Sequence, residues 1–553
     1  MNKPELSQLT LRERIGQTAA VHPKHINNRV NPHEYLKDNP FGIMWTAGFI
    51  KMKFANMAEE AINPDEIDYD IDKKIRQLKI DADKYMSVPF LLAADAENGV
   101  GRILPYYQDF PSAPGRAATR DTDFAYKAGK CIAKAAKTAG IYWLWGPLAD
   151  NASPFNSVLN NRCFSSDPEL IGKMLSATVK GMQSEGVYAT LKHFPGADKY
   201  EFRDSHITDM SINDDFDTWY TRQGVTFEEG FKAGALAVMI QHSAFPAIDD
   251  SMLSGKYTPA TFSHKIIQGL LKNKMGFNGV VITDAVDMCA THGLFDSKEE
   301  LYAALYNAGN DVILGPVEED YIDIIERAVE KGLISEDRIN DACQRVLDMK
   351  ERLGLFEGPL EPISDEERKA VKDEIDELVE RYAPNVITTI TDQVGLLPMK
   401  RENVKKVGII YLGYNQSVYR DLKYLREEFE AHGADVEIVD RLSMTNLTKF
   451  NDTCDLIIYV SHIVPHSPFG LLGYSEDKWM QLMNAFSLGR KKTIVISTGS
   501  MFVHHDWFST ANTAYSLYSA SRGILKAFVK GVYGECEFTG VVPYDPNPLA
   551  PRL

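Results

Sequence analysis

The segment Tyr188-Ala189-Thr190-Leu191-Lys192-His193-Phe194-Pro195-Gly196 passes within a few residues from an apolar run to a charged pair and a turn. The run at 188–191 predicts a buried strand that ends in polar residues. In the loop that follows, Asp204 and His206 are separated by one residue. A carboxylate that is hydrogen-bonded to an imidazole fixes its tautomer and raises its basicity, which suits the ring to proton transfer near neutral pH. Alone, this spacing is also common in surface loops.

A second segment repeats the arrangement: Gly279-Val280-Val281-Ile282-Thr283-Asp284-Ala285-Val286-Asp287-Met288. Its apolar residues 280–283 predict another buried strand, and Asp284 follows it directly. Two separate strands that each end in a chemically active residue are not expected from incidental surface loops. The pair therefore indicates a functional site built at strand ends.

Short apolar runs of strand length recur along the first 350 residues, and stretches with helical periodicity separate them. The runs are 42–45, 89–94, 141–145, 188–191, 235–240, 280–283 and 311–314. Helical periodicity is clearest at 168–185, 263–274 and 299–308. Strands that alternate with helices in this way predict an α/β fold, namely a TIM-type (β/α)8 barrel. Seven runs fit such a barrel with one irregular or missing strand.

Together, the two segments resemble glycoside hydrolase family 3, in its β-N-acetylhexosaminidase branch. The family carries Lys-His-Phe-Pro-Gly after a barrel strand, which stands here at 192–196. It also carries Gly-x-x-x-Ser/Thr-Asp-x-x-x-Met, which stands here at 279–288 and bears the nucleophile. The branch is marked by Asp-Ser-His in the loop after the first motif, found here at 204–206. The resemblance covers nearly the whole chain and is strongest from 95 to 288.

The resemblance implies a retaining glycosidase in which Asp284 is the nucleophile. His206, oriented by Asp204, is implied as the acid and then the base, in place of the second carboxylate that most retaining glycosidases use. Asp287 lies beyond the predicted strand end and is not the residue that the motif aligns. His242 ends another predicted strand, and we assign this lone histidine a structural role.

The same resemblance implies a set of sugar-binding residues. Asp95 ends a predicted strand, and its carboxylate can accept hydrogen bonds from two adjacent sugar hydroxyls. Arg102 follows in a segment similar to the family's Asp-x-Glu-Gly-Gly-x-x-x-Arg pattern, one residue shorter. Arg162 would donate to a substrate oxygen or to an active-site carboxylate, with a structural ion pair as the alternative. Lys192 and His193 are implied to hold hydroxyls of the terminal sugar.

Length and composition further restrict the number of domains and the class of protein. A chain of 553 residues is too long for one core and predicts two domains with a connector. The net charge of −17 argues against nonspecific binding to nucleic acid or to an anionic membrane. No apolar run approaches membrane-spanning length, the first residues lack the apolar segment of a signal peptide, and the six cysteines lack metal or disulfide spacing. We therefore expect a cytoplasmic protein without a metal site.

The predicted domains are a barrel at 1–355, a charged helical linker at 356–384 and a smaller α/β sandwich at 385–553. The segment Gly413-Tyr414-Asn415 follows a predicted strand of the sandwich without a glycine fingerprint for a nucleotide, so no cofactor is predicted. The role of this domain is structural, or it covers the barrel mouth, or it forms a dimer interface. A homodimer is therefore one of the alternatives.

The sequence favours an exo-acting β-N-acetylglucosaminidase that works with retention on chitin- or peptidoglycan-derived oligosaccharides. One alternative is a β-glucosidase of the same family. The resemblance implies that in those enzymes the acid is a glutamate of the second domain, and that they lack Asp-Ser-His. A second is a β-N-acetylglucosaminide phosphorylase, because an uncharged His206 would not repel phosphate. A metal-dependent barrel hydrolase would use His193, Asp204 and His206, but the strand-end His-x-His pair of such sites is absent. A non-catalytic sugar-binding protein would not need Asp284, Asp204 and His206 together.

Overall fold

The structure is a computed structural model that describes residues 2–22, 36–46, 68–156, 158–440, 443–464, 492–506 and 508–545. No helix in these ranges is both long and apolar enough to cross a membrane. Eight parallel strands form the first sheet. They are β1 Ala19–Val21, β2 Ile43–Trp45, β3 Leu91–Asp95, β4 Ile141–Leu148, β5 Tyr188–Phe194, β6 Ala237–Ile240, β7 Val280–Thr283 and β8 Ile313–Leu314.

The eight strands follow one another around the sheet in chain order, and β1 also pairs with β8. A parallel bridge between Ile282 and Val312 joins β7 to the residue before β8. This bridge brings the two ends of the sheet together, and the predicted parallel barrel is confirmed. All eight strands point the same way, so the residues that follow them gather at one end of the barrel.

The strand that the sequence analysis left unassigned is β1. Its three residues, Ala19 to Val21, come directly after the helix Leu11–Gln17 and are too few for a periodicity signal. All three are fully buried, and pairing with β2 on one side and β8 on the other defines the strand. Two predicted strands also ended too early, because β4 continues to Leu148 and β5 to Phe194.

Helices surround the barrel, and the three predicted helical stretches are present. The helices are Leu11–Gln17, Ile71–Asp83, Ala113–Ala118, Thr122–Thr138, Pro168–Gln183, Phe216–Trp219, Val225–Lys232, Lys298–Ala308, Tyr321–Glu330 and Glu336–Arg352, with π-helical segments Tyr220–Gly224 and Lys265–Lys274. Several begin at a capping side chain, as where Ser335 accepts a hydrogen bond from the Arg338 amide at 3.2 Å.

A long helix, Asp365–Val386, leads from the barrel to the second sheet. It begins with a reciprocal cap between Ser364 and Glu367 and buries one side through Ile375, Leu378 and Val379. The second sheet has six strands. They are β9 Thr388–Asp392, β10 Lys406–Gly413, β11 Asp435–Val439, β12 Leu456–His462, β13 Thr493–Ser497 and β14 Thr513–Ser516.

The strand order of the second sheet is β9-β14-β13-β12-β10-β11. Strand β9, which the sequence analysis had not assigned as a strand, is antiparallel to β14, and the other pairs are parallel. The accompanying helices are Gln416–Asp421, Lys423–Ala431, Met444–Thr453, Val503–Asp506 and Arg522–Val532. The predicted smaller α/β domain is confirmed, while its numerical boundaries stay a prediction.

The second domain packs against the barrel near the loop that follows β4. The Ser500 hydroxyl donates to the Asn160 side-chain oxygen at 2.6 Å, and both residues are buried. The Asp545 amide donates to the Ser166 hydroxyl at 2.9 Å. These bonds connect the second domain to both ends of a short stretch that contains Arg162.

At the end of the barrel where the strands begin, a buried lysine joins several segments. Lys350 lies on Glu336–Arg352, and its ammonium group donates to the Gln17 side-chain oxygen at 2.6 Å, the Gly42 carbonyl at 2.9 Å and the Pro89 carbonyl at 2.7 Å. Three acceptors use all three ammonium donors. The lysine thus ties its helix to the segments that enter β1, β2 and β3.

We predict that Lys350→Met lowers the free energy of unfolding by about 2–5 kcal/mol, because three buried oxygens lose their donor. Denaturant unfolding followed by circular dichroism measures this change. The exposed Lys180, also on a barrel helix, provides the matched control Lys180→Met. Equal unfolding midpoints for the two variants would contradict the role of the buried lysine.

Candidate active site

Four charged side chains meet where β3, β4 and β5 end. Glu97 accepts hydrogen bonds from Arg162 Nε at 3.0 Å and Nη2 at 2.6 Å, and from Lys192 Nζ at 2.9 Å. Lys192 also donates to Asp95 Oδ1 at 2.7 Å. Glu97 is 14% exposed and Asp95 40% exposed, so Asp95 is the carboxylate that faces outward.

The network is electrically balanced, with two cations and two carboxylates. Burial alone would raise the pKa of Glu97, but the charges of Arg162 and Lys192 hold it well below its ordinary value. Burial opposes the charged form of both cations too, yet the neighbouring carboxylates raise the pKa of Arg162 and of Lys192. Arg162 is therefore an ion-pair partner of Glu97, and its contact with a substrate stays a prediction.

A tryptophan fixes the second oxygen of Asp95. Trp45, the last residue of β2, donates from its indole Nε1 to Asp95 Oδ2 at 3.1 Å. Its ring packs on that of the buried Trp145, with centroids 5.7 Å apart. Asp95 is thus held at both oxygens by Lys192 and Trp45, while its carboxylate remains open on the outer side. Hydroxyl groups of a sugar could bind the remaining lone pairs.

On β5, directly after Lys192, His193 is paired with a buried aspartate. Asp150 Oδ2 accepts a hydrogen bond from the His193 amide at 2.9 Å and lies 2.8 Å from Nδ1 of the same ring. Asp150 is fully buried, so it orients the ring without reaching the solvent. Because Nδ1 faces Asp150, Nε2 is the ring nitrogen available to the site.

Asp284 follows β7 and is partly exposed. Its amide donates to the Ile240 carbonyl at 2.7 Å, and its Oδ1 accepts from the Ala285 amide at 2.8 Å. Burial would raise the pKa of Asp284, but the nearby His193, His242 and His206 lower it below the ordinary value. The carboxylate is therefore ionised near neutral pH, as a nucleophile requires.

His242 lies close to Asp284 and is itself fully engaged. Its Nδ1 is 2.7 Å from the Thr261 hydroxyl and its Nε2 is 3.0 Å from the Ala285 carbonyl. Burial lowers the pKa of His242, which disfavours its charged form. These contacts agree with the structural role assigned from the sequence.

The spacing of Asp204 and His206 produces the expected pair. Asp204 Oδ1 lies 2.6 Å from His206 Nδ1 and accepts the His206 amide at 2.9 Å. The Asp204 side chain is 3% exposed and the imidazole 43%, so the acid is inside and the ring faces outward. Burial alone would lower the pKa of His206, but the hydrogen bond and charge of Asp204, with the charge of Asp284, raise it.

The loop that carries this pair is fixed at several points. The Cys289 amide donates to the His206 carbonyl at 3.1 Å, which ties the loop to the turn after the Asp284 motif. Gly196, with φ of +98°, starts the loop, and the Gln241 side chain donates to its carbonyl. The Asn213 amide donates to Asp198 Oδ2 at 2.9 Å. The Asp204–His206 pair, the predicted acid/base, is thereby held beside the predicted nucleophile.

Arg102 is the remaining predicted binding residue. It is exposed on the turn after Gly101, and no hydrogen bond or ion pair joins it to another predicted site residue in the described part of the chain. Arg116 is instead the buried arginine of this region, and its Nη2 donates to the Glu97 carbonyl at 2.6 Å. The role of Arg102 toward a substrate stays a prediction.

The sequence analysis missed Glu97, Asp150, Trp45 and Arg116. Glu97, Asp150 and Trp45 lie in or near a predicted strand, whereas Arg116 lies in the helix Ala113–Ala118, and no sequence spacing connects any of them to its partner. Within the described ranges, no group of three or more His, Cys, Asp or Glu side chains is arranged to hold a metal ion.

These features define a class of protein. A parallel β/α barrel carries at one end an ionised aspartate, a histidine held by a buried carboxylate, and a fixed, outward-facing carboxylate, as a sugar-cleaving barrel enzyme does. The model of the glycosyl hydrolase family 3 N-terminal domain matches residues 10–349. This chain therefore belongs to glycosyl hydrolase family 3, and the resemblance found in its sequence is confirmed.

The chain is similar to several known proteins. It is 24% identical over 497 residues to a β-N-acetylglucosaminidase/β-glucosidase of Cellulomonas fimi, covering 83% of this chain and 84% of that protein. It is 33% identical over 233 residues to a β-hexosaminidase of Stenotrophomonas maltophilia, covering 41% of this chain and 67% of that protein. A solved β-glucoside phosphorylase has the same fold at 22% identity, with a TM-score of 0.80 and coverage of 98% and 94%.

We predict that Asp204→Asn moves the high-pH limb of the kcat/KM profile about one unit lower. Asp204 raises the pKa of His206, so its loss lowers that pKa, and the protonated acid disappears at a lower pH. Asp209→Asn changes an exposed aspartate of the same loop and provides the control. A high-pH limb that stays in place in Asp204→Asn would contradict the pairing.

We also predict that Trp45→Phe raises KM about 10-fold, because it removes the donor to Asp95 and retains an aromatic ring. Trp145→Phe is the matched control, since the Trp145 indole N–H donates to no described residue. Steady-state kinetics of both variants, with kcat and KM resolved, make the comparison. Equal KM values in the two variants would show that the hydrogen bond does not position Asp95.

Proposed function

We propose that this protein is an exo-acting, retaining β-N-acetylglucosaminidase that acts on chitin- or peptidoglycan-derived oligosaccharides. The observation that carries the proposal is the Asp204–His206 pair, held beside Asp284 by the bond between the Cys289 amide and the His206 carbonyl. This arrangement supplies a nucleophile and an acid/base from the barrel alone. A β-glucosidase with its acid in the second domain would not need it.

In the first half-reaction, an Asp284 carboxylate oxygen attacks the anomeric carbon of the terminal sugar. The bond from that carbon to the leaving oxygen breaks, and His206 donates the proton of Nε2 to this oxygen. Because Nδ1 is engaged by Asp204, Nε2 is the nitrogen that can reach the leaving group. The products are a glycosyl ester of Asp284 and a leaving group with a free hydroxyl.

In the second half-reaction, neutral His206 removes a proton from water, whose oxygen attacks the anomeric carbon. The ester bond to Asp284 breaks and the carboxylate is restored. Two displacements at the same carbon retain its configuration. Asp204 remains ionised throughout and stabilises the imidazolium that forms when His206 has bound the proton.

The binding side of the proposal uses the network around Asp95. Lys192 and Trp45 hold its two oxygens, so the carboxylate can accept two sugar hydroxyls without reorienting. His193, held by Asp150, presents Nε2 toward the same space. The named activities of the similar proteins favour an N-acetylhexosamine, and glucose is the alternative, since one relative carries both activities in its name.

A second candidate is the phosphorylase. After His206 has given up its proton it is uncharged, and its ring is 43% exposed. A carboxylate in that place would repel an incoming phosphate, and the repulsion grows where water is excluded. Phosphate could then replace water in the second half-reaction and yield a sugar 1-phosphate.

We predict that Asp284→Ala lowers kcat on para-nitrophenyl β-N-acetylglucosaminide by at least about 10³-fold, because the nucleophile is lost. Asp287→Ala, three residues further on and exposed, provides the control and should retain most activity. A 2-deoxy-2-fluoro sugar should label Asp284, as peptide mass spectrometry would determine. Labelling of another residue would overturn the assignment.

The same assay separates the alternatives. A sugar 1-phosphate that appears at raised phosphate and constant ionic strength would select the phosphorylase. Activity that a chelator abolishes would select a metal-dependent hydrolase. Binding of sugars without any turnover would identify a non-catalytic protein, and a preference for β-glucosides would identify a β-glucosidase.

A further inference from the structure

A buried arginine connects the charged network of the barrel to the second domain. Arg116 is fully buried, and its Nη2 donates to the Glu97 carbonyl at 2.6 Å and to the Asn98 side-chain oxygen at 3.3 Å. Its helix, Ala113–Ala118, is bonded to the second domain at both ends. We propose that Arg116 is a positioning residue, through which the second domain fixes Glu97 and the side chains that are bonded to it.

The second domain holds this helix at three points. Before its first residue, the Ser112 amide donates to the Tyr518 carbonyl at 3.1 Å. At its last residue, the Ala118 carbonyl accepts from the Val541 amide at 2.9 Å. Between them, Gly115 packs so closely that a Cβ atom there would lie 2.6 Å from Tyr518 Cβ. A movement of the helix relative to the second domain would therefore change one or more of these contacts.

Tyr518 has a backbone conformation that tyrosine rarely adopts. It follows β14 with φ of +57°, in the left-handed region that favours glycine. Such strain persists only where the surrounding structure determines the position of the residue, and strained residues cluster at functional sites. Tyr518 is also buried, and it is the residue whose carbonyl bonds to Ser112. The contact between the two domains is thus made at a fixed point of the second domain.

The Arg116 side chain transmits this fixed position to Glu97. Its guanidinium is planar, so the directions of its N–H bonds are set by the orientation of one plane. The fully buried Phe164 ring has its centroid 5.2 Å from the guanidinium carbon, and a close-packed interior leaves that plane little room to turn. Because Nη2 bonds to the main chain of Glu97, a shift of the helix would move the backbone from which the Glu97 carboxylate extends.

The choice of an arginine for this position supports a role beyond packing. Burial lowers the pKa of Arg116 to about 10, so the group is charged near neutral pH. Its Nε and Nη1 have no hydrogen-bond partner among the described residues. A buried charge with unused donors is unfavourable, and an apolar side chain would fill the same space without this penalty. The bond from Nη2 to Glu97 is what an apolar side chain could not provide.

Glu97 passes its position on to the groups proposed to bind the sugar. It bonds to Arg162 at 2.6 Å and to Lys192 at 2.9 Å, and Lys192 bonds to Asp95 at 2.7 Å. Under the proposed function, on which this inference rests, Asp95 and Lys192 bind hydroxyl groups of the terminal sugar. A displaced Glu97 should therefore weaken binding of the sugar and leave the chemistry at Asp284 little changed.

The first experiment separates binding from turnover. We expect Arg116→Met to raise KM for the para-nitrophenyl β-glycoside that the unsubstituted enzyme prefers about 10-fold, with kcat within about 2-fold. The Kd of the corresponding free sugar, measured by calorimetry, should rise by a similar factor. Arg116→Lys retains a cation with donors and should lose only about 3-fold. An unchanged KM in a folded Arg116→Met variant, or a kcat that falls as far as KM rises, would contradict the positioning role.

The second experiment tests the connection to the second domain. Gly115→Ala places a methyl group against Tyr518 and should raise KM about 5-fold. In the Arg116→Met background the same change should have no further effect, because the shift of the helix no longer reaches Glu97. Tyr518→Gly loosens the same contact from the other side and should show the same dependence on Arg116. Effects of Gly115→Ala and Arg116→Met that multiply would overturn the proposal.

Gly523→Ala is the matched control. A Cβ atom at Gly523 would lie 3.1 Å from Val379 Cγ1 on the helix Asp365–Val386, so this change disturbs a different contact of the second domain. It should leave KM within about 2-fold, and a rise equal to that of Gly115→Ala would remove the specific role of the helix Ala113–Ala118. The Kd comparison also applies to a protein that binds the sugar and hydrolyses no β-N-acetylglucosaminide, a result that would refute the proposed function alone.

Discussion

Glu97 is the group on which the polar end of the barrel depends. It lies between Arg162 and Lys192, and both cations bond to it within 3.0 Å. Without this carboxylate, two cations in a largely buried site would face only the charge of Asp95. Removing one partner of a buried ion pair leaves an uncompensated charge that costs several kcal/mol. The four side chains therefore depend on one another. Asp95 can face outward because Glu97 neutralises the two cations, Arg162 and Lys192, that lie behind it.

Charge balance of this kind is weak evidence for stability, since desolvation offsets most of the Coulombic attraction. The consequence of this charge balance is that the side chains are held in fixed orientations. Lys192 is fixed by two carboxylates at once, and Asp95 by a lysine and an indole. Asp95 and Glu97 each have two partners on separate strands or loops, so the positions of these strand ends are coupled. A sugar bound by Asp95 would meet a surface that does not need to rearrange.

Near Asp284, two histidines are each held by a buried aspartate. Asp150 holds His193 and Asp204 holds His206, in each case through Nδ1 and with the carboxylate buried. The two histidines thereby keep Nε2 for the site, and together with His242 they lower the pKa of Asp284. Their effect is to keep that carboxylate ionised. The loop pair differs from the strand pair in exposure, and exposure is what a group that exchanges protons with a substrate requires.

The sequence predicted the parts of this site that are local. The end of an apolar run located Asp95, Lys192, His193 and Asp284, and a spacing of two residues placed Asp204 against His206. Glu97, Asp150 and Trp45 could not be assigned in this way, because their partners are 95, 43 and 50 residues away in the chain. Strand β1 was missed for a similar reason, since three residues acquire their structure only from the strands on either side.

The second domain contacts the same end of the barrel. In the described part of the chain it reaches the barrel beside the loop after β4, where Ser500 bonds to Asn160, two residues before Arg162. That loop also carries Phe155 and Ser153, and Ser153 in turn bonds to the loop of His206. A continuous set of contacts therefore runs from the second domain to the loop of His206. Under the proposed function the acid comes from the barrel, and the contacts described for the second domain hold the stretch on both sides of Arg162.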